Sequence, residues 1–390
     1  MTSTPHQACP APGPYAYAPR PPHAPRPPYA APPLPYHRLA LSTGTHRWWR
    51  PLAGTGLVLA GALAVTMVVL CAAETAGAFL DRPVDKDGFR VWGGIAETGQ
   101  ALLSLALVTP VVFLAARWAQ RRPAGSVSSV TGGLRWHWLG RCMAVGLPLV
   151  VVSLGIMLLL PEAGDGAGED VRWAGLPDFL LGLAMVCVLV PFQASAEEYV
   201  FRGWLTQAVG AWCRAPWVAI VPQALLFASA HGWGTVWGFT DLVVFGLVAG
   251  VLTIRTGGLE AAIGLHVLNN LLAMGASAAI AGALSSDETA ADMNWMAAAV
   301  DAVAVCAYAG VVLWLAGRRR IVSVSEGGVP GGAPGGGDAS GGGGGAPGWG
   351  GAPGWGTAPG WGTAPGAAGV ATSDSASDSS VSSADAGVGR

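Results

Sequence analysis

A chain of 390 residues with 52% hydrophobic and only 11% charged side chains falls far short of the roughly 25% charged residues of an average soluble domain, which excludes an ordinary water-soluble fold and points to a bilayer. The formal net charge of -2 offers no basic surface for nucleic acid and no acidic tract for a basic partner. Six cysteines (Cys9, Cys71, Cys142, Cys187, Cys213 and Cys306) form no C-x-x-C pair, so neither a zinc knuckle nor a disulfide framework is expected, and they read as small apolar packing residues.

Residues 1–50 are rich in Pro, Ala, Tyr and His without an apolar period, and are expected to be a disordered, Pro-rich cytoplasmic tail with no signal peptide. The cluster His46, Arg47, Trp48, Trp49, Arg50 then meets an apolar run over 52–70, a basic and aromatic entrance to a first transmembrane helix. Further apolar segments follow at 98–117, 141–160, 176–209, 216–231, 239–255, 258–280 and 295–316. A span needs about 20 residues, so the expectation is an all-α, polytopic bundle of about eight transmembrane helices over 51–320.

The loops give the orientation. Arg117, Arg121, Arg122, Arg135 and Arg141 lie between the second and third segments, Arg214 between the fourth and fifth, Arg255 between the sixth and seventh, and Arg318 to Arg320 after the eighth. All fall on one side, which the positive-inside rule makes cytoplasmic. The opposite loops hold Glu162, Asp165, Glu169, Asp170, Asp287, Glu288 and Asp292. The expected location is the cell membrane, multi-pass, with both termini cytoplasmic. Residues 321–390 turn to Gly, Pro, Ser and Ala, with Ala-Pro-Gly-Trp-Gly beginning at Ala346, Ala352 and Ala358; so short a repeat of turn formers has too little to bury for a solenoid and reads as a second disordered cytoplasmic tail.

Inside the fourth segment, Ala194 to Trp204 places Glu197, Glu198 and Arg202 in an apolar run, where each charge costs a few kcal/mol or more unless paired or hydrated. Glu198 and Arg202 are four apart with the acid N-terminal, the favoured order for a helical pair. Glu197 points about 100° away and lacks that partner, so it is the carboxylate suited to take a proton from water. Phe227-Ala-Ser-Ala-His231 and His266-Val-Leu-Asn-Asn270 follow, each with its ends on one helical face. Counting from the cytoplasmic turns, Glu198 rises about 18 Å, His231 about 22 Å, and His266 and Asn270 about 12 and 18 Å. Polar residues on three helices thus converge on one layer. The length of the fourth segment implies a tilt or a break near Pro191 and Gly203.

Bland readings apply elsewhere. Asp178 after Pro177 reads as a helix cap, Asp241 and Glu260 as near-interface residues, and Asp301 as an unassigned polar residue of the last span. Asn269 and Asn270 alone would suit interhelical hydrogen bonding.

The ordered set Glu197-Glu198-x-x-x-Arg202, Phe227-x-x-x-His231 and His266-x-x-x-Asn270 closely resembles the motifs of the CPBP family of intramembrane proteases, which includes the type II CAAX prenyl endopeptidases and the bacteriocin self-immunity proteins called Abi. The resemblance covers residues 178–280 and neither tail. It implies that Glu197 is the general base on a water, that His231 binds or polarises that water, that Glu198 with Arg202 orients the helix, and that His266 and Asn270 donate to the oxyanion. It implies an endopeptidase acting on membrane-embedded or lipid-anchored peptides, prenylated ones among them. Cofactors stay open between none and a divalent metal such as zinc, for which Glu197, His231 and His266 could furnish ligands, although no His-Glu-x-x-His is present. The competing class is a non-catalytic membrane immunity or scaffold protein with the same fold; a transporter is less favoured because no internal repeat of helices is seen.

Overall fold

A computed structural model describes residues 33–159, 172–286 and 288–326. The described chain is helical: α1 Arg50–Phe79, α2 Gly94–Ala106, α3 Val108–Trp118, α4 Trp136–Leu159, α5 Leu176–Glu198, α6 Thr206–Gly210, α7 Pro216–Ala230, α8 Val236–Thr256, α9 Glu260–Ser277 and α10 Trp295–Arg319. Among the described residues β-structure is limited to isolated bridges. Local chemistry marks the ends. Pro51 opens α1, Thr235 and Asn294 cap α8 and α10 through their side-chain oxygens, and Gly257, at φ 71°, terminates α8. Pro110 has no N–H to donate to Ala106, which divides one membrane-length segment into α2 and α3.

All eight apolar segments are helical, but among the described residues six stretches, Arg50–Phe79, Gly94–Trp118, Trp136–Leu159, Leu176–Gly210, Val236–Thr256 and Trp295–Arg319, are long and apolar enough to cross a membrane. The expected eight spans are thereby corrected to six such helices in a multi-pass bundle. The remaining two segments are inner helices. α7 has only 15 residues and stops at its Ala230 end, where Gly232 takes a φ of 104° that disfavours a side chain. α9 is buried without interruption from Glu260 to Leu268, packed among α4, α5 and α8, so its polar side chains face protein instead of lipid.

The anticipated long fourth segment does break, and near Gly203. α5 passes through Pro191 without interruption and gives way to a π-helical turn over Tyr199–Leu205 before α6. Such turns widen the helix by one residue and recur at functional sites. Trp204, fully buried, donates from Nε1 to Thr55 Oγ1 at 3.0 Å, and its ring lies where a Cβ on Gly54 would stand 2.3 Å away. The absence of a side chain at Gly54 lets α1 close against the π turn.

The Arg-rich end of the bundle is closed. Tyr36–Leu41 forms a 3-10 helix with Tyr36 and Leu39 buried; the Tyr36 hydroxyl donates to Val127 O. Residues 124–130 fold inward beneath the bundle, where Gln207 Nε2 donates to Ser126 O at 3.0 Å, Leu259 N to Ser128 O at 2.9 Å and Val130 N to Gly257 O at 2.8 Å. Irregular backbone at this depth is tolerated because its polar groups find partners in protein. Burial pushes the Arg122 guanidinium down to about 10, with the Tyr36 hydroxyl acting against the shift. Arg135 and the buried Glu260 pair at 2.6 Å. Ser325 N donates to Leu34 O at 2.9 Å and Leu34 N to Ser325 Oγ at 3.0 Å. The tail boundaries expected at 50 and 321 are therefore corrected: residues 33–50 and 321–326 belong to the folded body, because a few apolar side chains inside polar, Pro-rich sequence suffice to anchor them. The rest of both expected tails lies outside the described residues, as do Glu162, Asp165, Glu169, Asp170 and Asp287.

Candidate active site

α5 delivers Glu197 and Glu198 at its last turn, the end of α7 delivers His231, and α9 delivers His266 and Asn270. The two glutamates diverge as helical spacing requires. Glu198 and Arg202 are both fully buried and pair at 2.9 Å; the same Glu198 Oε1 accepts from His266 Nδ1 at 2.8 Å. Arg202 lies over the Phe227 ring at 4.0 Å and over Phe245 at 5.4 Å, contacts that partly replace the hydration a buried cation loses. Phe227 also packs edge-on to His266, with centroids 5.7 Å apart, and against His231 at 4.6 Å. The aromatic residue of the second motif is thus the hub holding the ion pair and both imidazoles.

Glu197 faces the other way. Its Oε1 accepts from Gln193 Nε2, and Gln193 Oε1 in turn accepts from Asn270 Nδ2 at 3.4 Å. Oε2 accepts no hydrogen bond from the protein and lies 3.7 Å from His266 Nε2 and 3.9 Å from His231 Nε2. The ring contacts fix the tautomers. His231 Nδ1 lies 2.9 Å from the carbonyl oxygen of Phe227, an acceptor, so Nδ1 carries the hydrogen; His266 Nδ1 faces a carboxylate and carries one too. In the neutral rings both Nε2 atoms therefore present lone pairs toward a carboxylate oxygen. Three acceptors with no donor between them suit a water molecule, which can give two hydrogens to such a set.

A cavity of about 400 Å³ adjoins this point. Val58, Leu59 and Ala62 of α1 and Leu105 and Val108 at the α2–α3 junction form one wall; Glu197, Phe201, Ala230 and His231 form another, with Thr289 at the rim. The Glu197 and His231 side chains keep 13% and 24% of their exposure, against 3% for His266; Glu197 borders the cavity with its Oε2 itself buried, and the ion pair behind it stays dry.

The structure brings Glu197, Glu198, Arg202, His231, His266 and Asn270 into one cluster. Asn270 joins it indirectly, through Gln193, a residue that sequence reasoning passed over; its signal was an amide one helical turn before Glu197 in an otherwise apolar run. Asp241, read as near-interface, and Asp301, left unassigned, are both buried and stand outside the cavity lining, and Glu260 is the buried partner of Arg135. The zinc ligand set does not fit. A tetrahedral ion with bonds of about 2.0–2.1 Å draws neighbouring donors to about 3.3 Å, closer than the 3.7 and 3.9 Å separations here. Among the described residues no group of three His, Cys, Asp or Glu side chains is disposed to hold a metal ion.

Residues 177–272 match the family described as type II CAAX prenyl endopeptidase Rce1-like, a stretch that runs from the first turn of α5 to α9 and contains every residue of the cluster. The chain is 29% identical over 216 residues to the uncharacterized protein YyaK of Bacillus subtilis, covering 53% of this chain and 71% of that protein. It is 31% identical over 132 residues to an uncharacterized 24.3 kDa protein of Escherichia coli, covering 33% of this chain and 58% of that protein. No solved structure matches.

Proposed function

On the premise that the segment 177–272 is Rce1-like and of the CPBP type, we propose that the protein is an intramembrane endopeptidase that hydrolyses peptide bonds of membrane-associated substrates with a water activated by Glu197. The observation that carries this reading is the free Glu197 Oε2, turned toward two imidazole lone pairs at the edge of a cavity. Such an arrangement holds a water and offers it a base within reach.

In the proposed cycle the water oxygen bonds to the scissile carbonyl carbon as Glu197 takes its proton. His231 fixes the water's position through Nε2, its ring held from behind by the Phe227 carbonyl, while the Glu198 carboxylate holds the His266 ring through Nδ1. The developing oxyanion is met by Asn270, which spends one amide hydrogen on Gln193 and retains a second, and by His266 when its Nε2 is also protonated. Preorganised donors of this kind usually supply the largest single part of acyl-transfer catalysis. Glu197 then passes the proton to the departing amine nitrogen, the C–N bond breaks, and the products are an amine and a carboxylic acid. The apolar wall of α1 and the α2–α3 junction suits a lipid-anchored or membrane-embedded peptide.

The test compares protein termini in membranes of cells carrying wild type and Glu197→Ala at matched expression, by mass spectrometry. Defined cleavage products should disappear in the variant and return with the wild type. Identical profiles, with a phenotype that persists only on deletion of the whole protein, would replace this reading with the non-catalytic membrane immunity or scaffold role.

A further inference from the structure

The start of α1 gathers positive charge from two parts of the chain. Thr45 ties them together: its carbonyl accepts from Arg50 Nη1, and its hydroxyl donates to Gln120 O at 3.3 Å. Arg121, the next residue, is thereby brought beside the start of α1, and the Arg121 and Arg47 charges both act on the Arg50 guanidinium. Among the described residues no carboxylate pairs with any of these three arginines. The helix adds to the excess. Its first turn has no acidic residue and no side-chain cap, so the positive end of its dipole faces the same place. Burial, helped by the Arg50 charge, holds His46 below its ordinary 6.5, and the neutral imidazole brings no further charge near pH 7.

Basic side chains at a helix N-terminus oppose the dipole, and two features mark this arrangement as a built site. Arg50 is only 6% exposed, yet its buried Nε has no hydrogen-bond partner, and a donor so placed is costly to leave unmade. Arg121 adopts a φ of 53°, a region that a residue with a side chain enters at a cost, and backbone strain of that kind collects at ligand sites. The strained turn sends neighbouring arginines opposite ways. Arg122 is buried and donates to Gln120 Oε1 and Ser126 Oγ, whereas Arg121 stays exposed.

Trp48 and Trp49 before α1, Trp118 at the end of α3 and Trp212 after α6 are all exposed at this end. Trp212 Nε1 donates to Trp48 O at 3.1 Å, and the Arg50 guanidinium lies over the Trp49 ring at 5.8 Å. Tryptophans at the ends of spanning helices sit at the level of the lipid headgroups, so the arginines meet an anion of the interface before one from bulk water. From the three unpaired arginines, the orphaned Arg50 Nε and the surrounding indoles we infer that Arg47, Arg50 and Arg121 bind the phosphate of an anionic phospholipid. A lipid held there clamps the start of α1 against the end of α3, and α1 is the helix whose Val58, Leu59 and Ala62 wall the cavity. The inference stands independently of the proteolytic reading.

The experiment offers the full chain, in a neutral detergent, phosphatidylglycerol and phosphatidylcholine with matched acyl chains, and counts retained lipid by native mass spectrometry. Wild type should retain phosphatidylglycerol in preference. One basic residue at an anionic surface corresponds to about fivefold in affinity, so Arg50→Gln and Arg121→Asn should each weaken phosphatidylglycerol by at least about fivefold and leave phosphatidylcholine unchanged. Asparagine tolerates the backbone of position 121, so Arg121→Asn tests the charge without disturbing the turn and keeps the test decisive where Arg50→Gln fails to fold. Arg121→Lys should restore most of the preference. Arg319→Gln, in the last turn of α10, removes a charge from the same end of the bundle outside the cluster and should change nothing; an equal loss there overturns the site, because diffuse surface charge then accounts for the binding. Equal retention of the two lipids by wild type also overturns it. So does displacement of phosphatidylglycerol by glycerol 3-phosphate or inorganic phosphate at comparable concentration, which would make the ligand a soluble phosphate.

Discussion

Gln193 gives a prediction whose size can be worked from the geometry. Its amide is the protein donor on Glu197 Oε1, and the residue is 5% exposed, so water cannot readily take its place. Replacing it by leucine keeps the volume and removes the donor. A hydrogen bond to a charged group is worth about 1.5–3 kcal/mol. If that energy serves to aim the carboxylate in the transition state, kcat should fall roughly 10- to 150-fold with KM little changed. The assay is cleavage of a membrane peptide by protein in lipid nanodiscs, with the substrate identified by the terminal comparison described above. Because Asn270 contacts Gln193 and not Glu197, part of its loss should travel through the same amide, and Gln193→Leu with Asn270→Ala should cost less than the two single losses multiplied. Strict multiplicativity, or a Gln193→Leu change confined to KM, would refute the relay from α9 through Gln193 to the carboxylate.

Other outcomes follow from other parts of the fold. Arg202→Met leaves Glu198 buried without its guanidinium and should cost about 3–5 kcal/mol, read as a lower midpoint in denaturant titration of the detergent-solubilised protein; an unchanged midpoint would mean that the aromatic cage alone holds this layer. Gly54→Ala puts a methyl group where the Trp204 ring stands and should destabilise by about 1–3 kcal/mol, with faster proteolysis between α1 and α2 as α1 loosens. His37 is held below its ordinary 6.5 by burial, the hydrogen bond to Arg214 O acting in the other direction. The neutral ring is therefore the folded form: its contribution is constant above about 6.5 and declines as pH drops below it. Protection of the Tyr36–Leu41 amides, taken relative to their intrinsic exchange rates, should fall on acidification, and His37→Gln should abolish that dependence.

What the sequence could disclose was set by cost. Glu197, Glu198, Arg202, His231, His266 and Asn270 stood out because ionisable and amide groups are expensive in apolar helices, and helical spacing alone separated the paired glutamate from the free one. The apolar runs likewise announced every helix. Their number as spans was overstated because α7 is short, ending at a glycine with positive φ, and because Glu260, His266, Asn269 and Asn270 make α9 less apolar than the six span-length helices. Nothing local marked Tyr36 as buried, since its anchor, Val127, is 91 residues away. Gln193 escaped notice for the opposite reason: an amide near a helix end is ordinary, and only the distances to Glu197 and Asn270 give it a role. Phe227 was legible as part of a motif, but its place between a guanidinium and two imidazoles was not.

The clasp between Leu34 and Ser325 has a topological consequence. It joins the start and finish of the folded body at one end, so the polypeptide traces a nearly closed circuit through the bilayer and must cross it an even number of times. A short bridge across the clasp and a new opening in the Asp85 to Gly88 turn should yield a circular permutant with the same packed helices. α1 would then be made last, and insertion of the cluster-bearing helices would no longer wait on the helix that forms the outer wall of their cavity.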